Sequence, residues 1–478
     1  MSKKLDLLQD KESMLLRKYM IPSVAGMLGL SVCILFDTMF IGHKIGELGL
    51  AALNIALPIY NLYSAIGLTI GVGGATALSV AMGQKKFHRV NRIFASAVFA
   101  TIIFCIIISL LEVFFLDKIV YMLGASEATF PLAKEYLKII LAFNPAFIFA
   151  SAFIVFVRND REPKLAMYAV IGSNTANIVL DYVFIYIFNL GMFGAALATS
   201  IGQLVALGVL SIHFIKKNNT MHIELGGINL DNIGKVLKNG VPSFLNEISA
   251  GFVIFIFNIV IYKFEGDLGV SAYGIITNIV LIFMAVFNGV SQGVQPLISV
   301  NFGAKKEERV KEFLRLTRII VLILGVGFLG MGLLLPNQMI GLFTSDRGRL
   351  LSITRQGIYL YFIAFLFNGS NILNIAYLQA VEKSKESSLL STLRGLVFVI
   401  IFIIVLPRII GVYGVWLTIP ITELSTLLLF LIFEIKNKRK TIWNNKNRWL
   451  STVFIVMQRS KYSIVRVIVI FKQEVKLV

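Results

Sequence analysis

Apolar residues run along this chain in stretches longer than a soluble core helix needs. Segments of about 20 residues or more fall near 15–41, 50–80, 93–123, 132–157, 165–188, 191–215, 236–262, 269–300, 313–340, 355–379, 388–407 and 411–435; as helices, each can cross a hydrocarbon layer of about 30 Å. Several are interrupted by proline, among them Pro22, Pro58, Pro145, Pro242, Pro296 and Pro420. Neighbouring helices and cavity water satisfy the carbonyls that such prolines free inside a membrane bundle. The pattern predicts an all-α polytopic membrane protein of twelve transmembrane helices.

The two halves of the pattern repeat at an offset of 220 residues. Gly46-Glu47-Leu48-Gly49 matches Gly266-Asp267-Leu268-Gly269, and Gly83, Lys85, Lys86, Arg89 and Val90 match Gly303, Lys305, Lys306, Arg309 and Val310. Residues 46–90 and 266–310 are identical at 15 of 45 ungapped positions, and the offset returns at Gly191 and Gly194 against Gly411 and Gly414. Six spans per repeat give two pseudo-symmetric six-helix bundles of like orientation. The expected boundaries are a 1–13 N-terminal segment, a 14–216 N-lobe, a 217–232 linker, a 233–436 C-lobe and a 437–478 basic tail. The tail carries two shorter apolar runs, Val453–Met457 and Ile464–Phe471, which read as a basic interfacial segment.

Composition agrees: 57% of the 478 residues are hydrophobic and 15% charged, and the mean hydropathy is +0.82. Disorder, coiled coil, collagen and a small disulfide scaffold are excluded. Cys33 and Cys105 both lie in apolar runs and read as packed thiols. The net charge of +19 changes meaning once it is distributed. On one side of the predicted topology 29 Lys and Arg gather, against nine on the other. That asymmetry places both termini in the cytoplasm and assigns the basic excess to topology and anionic lipid, not to nucleic acid. The first span reads as a retained anchor rather than a cleaved signal.

Ionisable groups inside spans are costly and normally functional. Asp37 lies late in span 1. Asn174, Asn177 and Asp181 share one face of span 5 at i, i+3 and i+7, and Thr199 in span 6 offers another oxygen. This polar stripe predicts a cavity that takes a proton or a small hard cation through oxygen ligands. Glu247 in span 7 and Glu423 in span 12 either pair with Arg394 or meet a cationic substrate. Asn288, Gln292 and Gln295 in span 8, and Asn368, Asn371 and Asn374 in span 10, are polar faces suited to cavity lining or interhelical hydrogen bonds. Glu112 reads as interfacial, and the four histidines as scattered near span ends. No P-loop, nucleophile elbow or metal-ligand spacing is present, so an enzyme is not expected, no cofactor is implied, and an ion gradient is the remaining energy source.

Together these residues resemble the MATE (multidrug and toxic compound extrusion) family, in its MepA-like bacterial branch. The matching features are Phe36-Asp37-Thr38-Met39-Phe40-Ile41-Gly42, Gly83-Gln84-Lys85-Lys86, Val157-Arg158-Asn159-Asp160 before Pro163-Lys164, Asn177-Ile178-Val179-Leu180-Asp181, and Gly191-x-x-Gly194-Ala195-Ala196-x-Ala198-Thr199. They cover roughly residues 10–440. The resemblance implies two six-helix bundles in a V around a central cavity, as in the MOP superfamily, working by alternating access. It implies antiport: export of cationic amphipathic drugs or dyes against inward Na⁺ or H⁺. The ion-coupling site, including any Na⁺, would be Asp37, Asn177, Asp181 and Thr199. Asn174, Glu247, Asn288, Gln292, Gln295, Asn371 and Glu423 would line the substrate cavity. The segment Phe367-Asn368-Gly369-Ser370-Asn371-Ile372 lacks the span-10 aspartate of some members, so no second ion site is expected there. The implied setting is a multi-pass monomer in a bacterial cytoplasmic membrane. A lipid-linked oligosaccharide flippase of the same superfamily is the runner-up, and a non-transporting membrane scaffold the alternative of another class.

Overall fold

The computed structural model describes residues 5–216, 219–344 and 348–459, and the regular structure of those residues is helical throughout. The chain divides into two compact units, Met1–Leu424 and Ser425–Val478. The first half opens with α1 (Glu12–Lys44), α2 (Glu47–Gly83) and α3 (Phe87–Met122). It continues with α4 (Phe130–Ala142), α5 (Asn144–Asn159), α6 (Pro163–Asp181) and α7 (Gly191–Ile215). The second half holds α8 (Leu230–Gly303), α9 (Glu307–Leu334), α10 (Pro336–Gly341), α11 (Arg349–Tyr361), α12 (Phe365–Ala380), α13 (Ser384–Thr392), α14 (Phe398–Ile410) and α15 (Val412–Arg459).

Among the described residues, ten helical stretches are long and apolar enough to cross a membrane, and the bent pair α4–α5 makes an eleventh. The twelfth is hidden in α8. Its 74 residues would reach about 110 Å as one rod, several times the hydrocarbon thickness. Gly266, at φ 60° and ψ −149°, breaks it, and the Phe257 and Tyr273 rings stack across the break with centroids 5.0 Å apart. The two limbs therefore double back as separate spans. Two spans expected to be continuous are broken instead. The 132–157 span bends by 57° where Pro145 opens α5, and the 313–340 span stops at Leu334 before Pro336 opens α10. In both places the ring has no N–H to continue the ladder and clashes with the preceding turn.

The repeat is written into the backbone. Left-handed φ values occur at Gly46 and Gly266, at Lys85 and Lys305, and at Gly191 and Gly411, all 220 residues apart, and at Arg161 and Glu382, 221 apart. Each pair is a hairpin turn at equivalent places in the two lobes.

The lobes meet at the end of the bundle that carries the Lys85 and Lys305 turns. There α2 and the second limb of α8 cross backbone to backbone. A Cβ on Gly83 would stand 2.1 Å from the Val300 carbonyl, and one on Gly303 would stand 2.2 Å from that of Val80. The N-terminal segment straps the same end. Leu7 is buried, its carbonyl accepts from Asn301 Nδ2 at 3.0 Å, and Arg309 pairs with Glu12 at 2.5 Å.

Within the expected linker, residues 217–218 lie outside the described residues, and Leu225–Gly227 forms a single 3₁₀ turn. In the tail, Val453–Met457 lies inside α15, whereas Ile464–Phe471 falls outside the described residues.

The crossing makes a prediction. Gly83→Ala and Gly303→Ala overpack the seam and should each cost about 1–3 kcal/mol, read as a lower melting temperature in detergent. Gly251→Ala, where a Cβ meets nothing within 4 Å, should leave it unchanged. Equal behaviour of all three variants would rule out the tight crossing.

Candidate functional site: a buried dicarboxylate in the N-lobe

One face of α1 lies along one face of α6, and small residues on α1 permit the approach. A Cβ on Gly26 would sit 3.8 Å from Val170, and one on Gly29 would sit 3.6 Å from Asn174 Nδ2. Further along the same register Cys33 meets Asn177: its thiol donates to Asn177 Oδ1 at 2.7 Å. One turn beyond, the side chains of Asp37 and Asp181 interact. Asn174, Asn177 and Asp181 are all buried, Asp181 to 1% exposure, while Tyr168, Ile171 and Val179 on the other faces of α6 are exposed, as lipid contact requires.

Asn177 joins the cluster together. Its Nδ2 donates to Asp181 Oδ2 at 3.1 Å and to Thr199 Oγ1 of α7 at 3.3 Å. Thr199 Oγ1 in turn donates to the Ala195 carbonyl at 3.0 Å, and Tyr136 of α4 approaches Thr199. One oxygen of each carboxyl, Asp37 Oδ1 and Asp181 Oδ1, is buried without a hydrogen-bond partner, as is Asn174 Nδ2. No Lys or Arg among the described residues forms an ion pair with either aspartate. Immediately after Asp181 the helix widens into a π-helical turn, Tyr182–Ile187, a distortion frequent at functional sites.

The structure thus brings Asp37, Asn177, Asp181 and Thr199 into one cluster, with Asn174 a turn away. Cys33 corrects the sequence expectation: it is a hydrogen-bonding member of the cluster and not a merely packed thiol. The i, i+4 spacing of Cys33 and Asp37 was the signal available for it.

The residues expected to line a substrate cavity belong to both lobes and to the seam between them. Glu423 takes the first of its two open roles. Arg394 Nε donates to its Oε1 at 2.8 Å and Oε2 at 3.0 Å, Asn371 Nδ2 donates to Oε2 at 2.7 Å, and Arg394 Nη2 reaches Asn368 Oδ1 at 2.6 Å. Arg394 lies in a second π-helical turn, Leu393–Val397. Gln292 sits at the seam between the lobes, where it accepts from Arg158 Nη1 at 2.6 Å. Gln295 is buried, and Asn288 and Glu247 are half-buried, Glu247 on the first limb of α8.

Two other polar sites differ from expectation. Glu112 is not interfacial but buried, at 4% exposure. It accepts from Tyr63 Oη and from Asn144 Nδ2, the latter at 3.2 Å, which ties α2, α3 and α5 together. His213 is not a loose span-end residue: its Nε2 lies 2.8 Å from Asp160 Oδ2, and both are 2% exposed. Asp160 also accepts from Thr220 N at 2.8 Å. Neither partnership had a sequence signal, because the partners lie far apart along the chain.

Twelve apolar spans in two repeated halves, with a polar carboxyl cluster inside the first, define a polytopic membrane protein. The sequence model of the MatE family matches residues 22–183 and again 242–405, and the chain belongs to that family. Multidrug export protein MepA of Staphylococcus aureus (strain NCTC 8325 / PS 47) is 27% identical over 433 residues, covering 89% of this chain and 94% of that protein. The protein of the same name from Staphylococcus saprophyticus is 26% identical, covering 88% and 94%. Among solved structures, an outward-facing multidrug resistance MATE family transporter of the MOP superfamily superposes with a TM-score of 0.85 at 21% identity, covering 91% of this chain and 98% of that one. A MOP superfamily transporter from Pyrococcus furiosus, whose binding pocket is described as reversed in polarity, superposes equally well, with a TM-score of 0.85 at 20% identity and the same coverage.

The Arg394–Glu423 pair is testable as structure. Removing one partner strands a buried charge and should cost about 3–5 kcal/mol. Glu423→Gln or Arg394→Met should therefore lower the melting temperature sharply, and the double replacement by Met should recover much of the loss. A fully stable Glu423→Gln with altered cargo preference would reverse the assignment.

Proposed function

We propose that the chain exports cationic amphipathic drugs or dyes from a bacterial cytoplasm in exchange for an inward-moving Na⁺ or H⁺, by alternating access, with both termini cytoplasmic. The coupling ion is a co-substrate and enters the Asp37–Asn177–Asp181–Thr199 cluster; no resident cofactor is part of the reading. The observation that carries it is the dicarboxylate. Asp181 is buried and Asp37 half-buried, each has one enclosed oxygen without a hydrogen-bond partner, and carboxylates placed this way and lacking a basic partner favour taking up a proton or a cation. A merely structural seam would be satisfied by Asn and Thr. The relatives named as multidrug export proteins support the drug class. Glu247, half-buried and outside the Arg394 network, is the proposed counter-charge for cargo. A flippase for a pyrophosphate-linked lipid would instead present cations to the cavity, and here the intramembrane Arg394 is already paired with Glu423. The proposed unit is a monomer surrounded by lipid.

Ethidium efflux from vesicles, with pH and Na⁺ gradients imposed separately, tests this reading. Asp181→Asn should insert normally and lose gradient-driven efflux. Glu247→Gln should slow monovalent cationic dyes more than neutral ones. Efflux by Asp181→Asn at the wild-type rate would remove the cluster from the coupling step.

One ion site fixes the charge balance. One monovalent cation in and one monovalent cation out move no net charge, so a potential of about 100 mV, worth about 2.3 kcal/mol per charge, contributes nothing. Clamping the potential with K⁺ and valinomycin in proteoliposomes should leave dye transport unchanged at a fixed ion gradient. A steep voltage dependence would require a second site.

A further inference from the structure

We infer that Cys33 fixes the Asn177 amide with its nitrogen toward Asp181 and Thr199, and that this orientation discriminates against Na⁺ at the coupling site. The inference rests on the reading of Asp37, Asn177, Asp181 and Thr199 as that site.

The hydrogen-bond network decides which way the amide points. Asn177 Oδ1 accepts from the Cys33 thiol at 2.7 Å, while Nδ2 donates to Asp181 Oδ2 at 3.1 Å and Thr199 Oγ1 at 3.3 Å. Thr199 spends its own hydrogen on the Ala195 carbonyl at 3.0 Å, so it faces Asn177 as an acceptor. Turning the amide over would set Oδ1 against two acceptors. It would also set the NH₂ group against a sulfur that accepts only weakly. Cys33 is the donor that holds the present orientation, and it does so from inside the helix pairing, buried one turn before Asp37.

The consequence is chemical. A hard cation is held by oxygen ligands. With Nδ2 turned inward, Asn177 presents N–H groups where a ligand oxygen is required, and its own oxygen is engaged by the thiol. Asp37, Asp181 and Thr199 offer oxygens to a cation, but Asn177 joins a Na⁺ shell only after the amide turns over and the Cys33 bond breaks. As the four stand, the shell is one oxygen short for Na⁺. Cys33 is a positioning residue: it acts on the ion through Asn177.

The test uses the full chain. Na⁺-dependent thermal shift and ²²Na⁺ binding are measured on purified protein, and Na⁺-driven ethidium efflux on vesicles. Cys33→Ala removes the donor and should lower the half-saturating Na⁺ concentration about three- to tenfold, the worth of one hydrogen bond. Cys33→Ser keeps a donor and should bind Na⁺ as weakly as wild type. Cys33→Val, which keeps volume without a donor, repeats the test should the alanine variant fold poorly. Three results would overturn the inference: tight Na⁺ binding by wild type, no change in Cys33→Ala and Cys33→Val, or an equal change in Cys33→Ser. Asp181→Asn in the same efflux assay keeps the two levels apart. Wild-type pumping by that variant defeats the coupling reading itself, whereas its loss of efflux together with tight wild-type Na⁺ binding defeats only the role of Cys33.

Discussion

The carbonyl of Val300 occupies the space a side chain on Gly83 would need, and the carbonyl of Val80 occupies that of Gly303. This reciprocal crossing is the constraint on which the two-lobe arrangement depends. Only glycine lets two helix backbones approach this closely in a bundle where lipid is as apolar as the side chains. The crossing holds one end of the lobes together with little side-chain interlock, and polar bonds gather around it: Arg158 to Gln292, and Arg309 to Glu12 and the backbone of the N-terminal segment. The seam is thus tight in backbone contact and is flanked by polar side-chain bonds.

The N-lobe cluster is a different kind of structure. Its helices pair along a matched register, with Gly26, Gly29, Cys33 and Asp37 facing Val170, Asn174, Asn177 and Asp181. The small residues at one end bring the carboxyls together at the other. Two neighbouring carboxyls disfavour being ionised together, so the packing of α1 against α6 also sets the electrostatics on which the proposed function rests.

Much of this was legible in the sequence. The Asn174–Asn177–Asp181 stripe is local, and helical spacing alone puts it on one face. The repeat was legible because turn glycines and the Gly-x-Lys-Lys hairpins recur at a fixed offset, and those positions carry the left-handed φ values. Span counts survived because hydrophobic length is a local property. What escaped was long-range pairing. Nothing near Glu112 announces Tyr63, nor does anything near Asp160 announce His213, because those partners come together only through tertiary packing. The break at Phe143 was missed for another reason: Pro145 had been read as tolerated within a span, and its effect depends on whether neighbours re-satisfy the helix.

The repeat also sets the two lobes apart at this cluster. At the 220-residue offset, Asp37 corresponds to Phe257, Cys33 to Val253 and Thr199 to Ile419. Phe257 is fully buried and stacks on Tyr273, so an aromatic pair fills the place a carboxylate takes in the first lobe. The reverse also holds. Glu423 corresponds to Gln203 at the same offset, so a carboxylate closed into an ion pair with Arg394 in the C-lobe stands where the N-lobe carries a neutral amide. One backbone therefore carries two opposite electrostatic solutions. In the C-lobe the Glu423 carboxylate is neutralised by Arg394. In the N-lobe the Asp37 and Asp181 carboxyls have an amide partner at Asp181 and no basic one among the described residues. Under the proposed function, an ion bound in one lobe and not in its twin would act differentially on the states the two lobes adopt together, and differential stabilisation is the only means by which a bound ion can shift such an equilibrium.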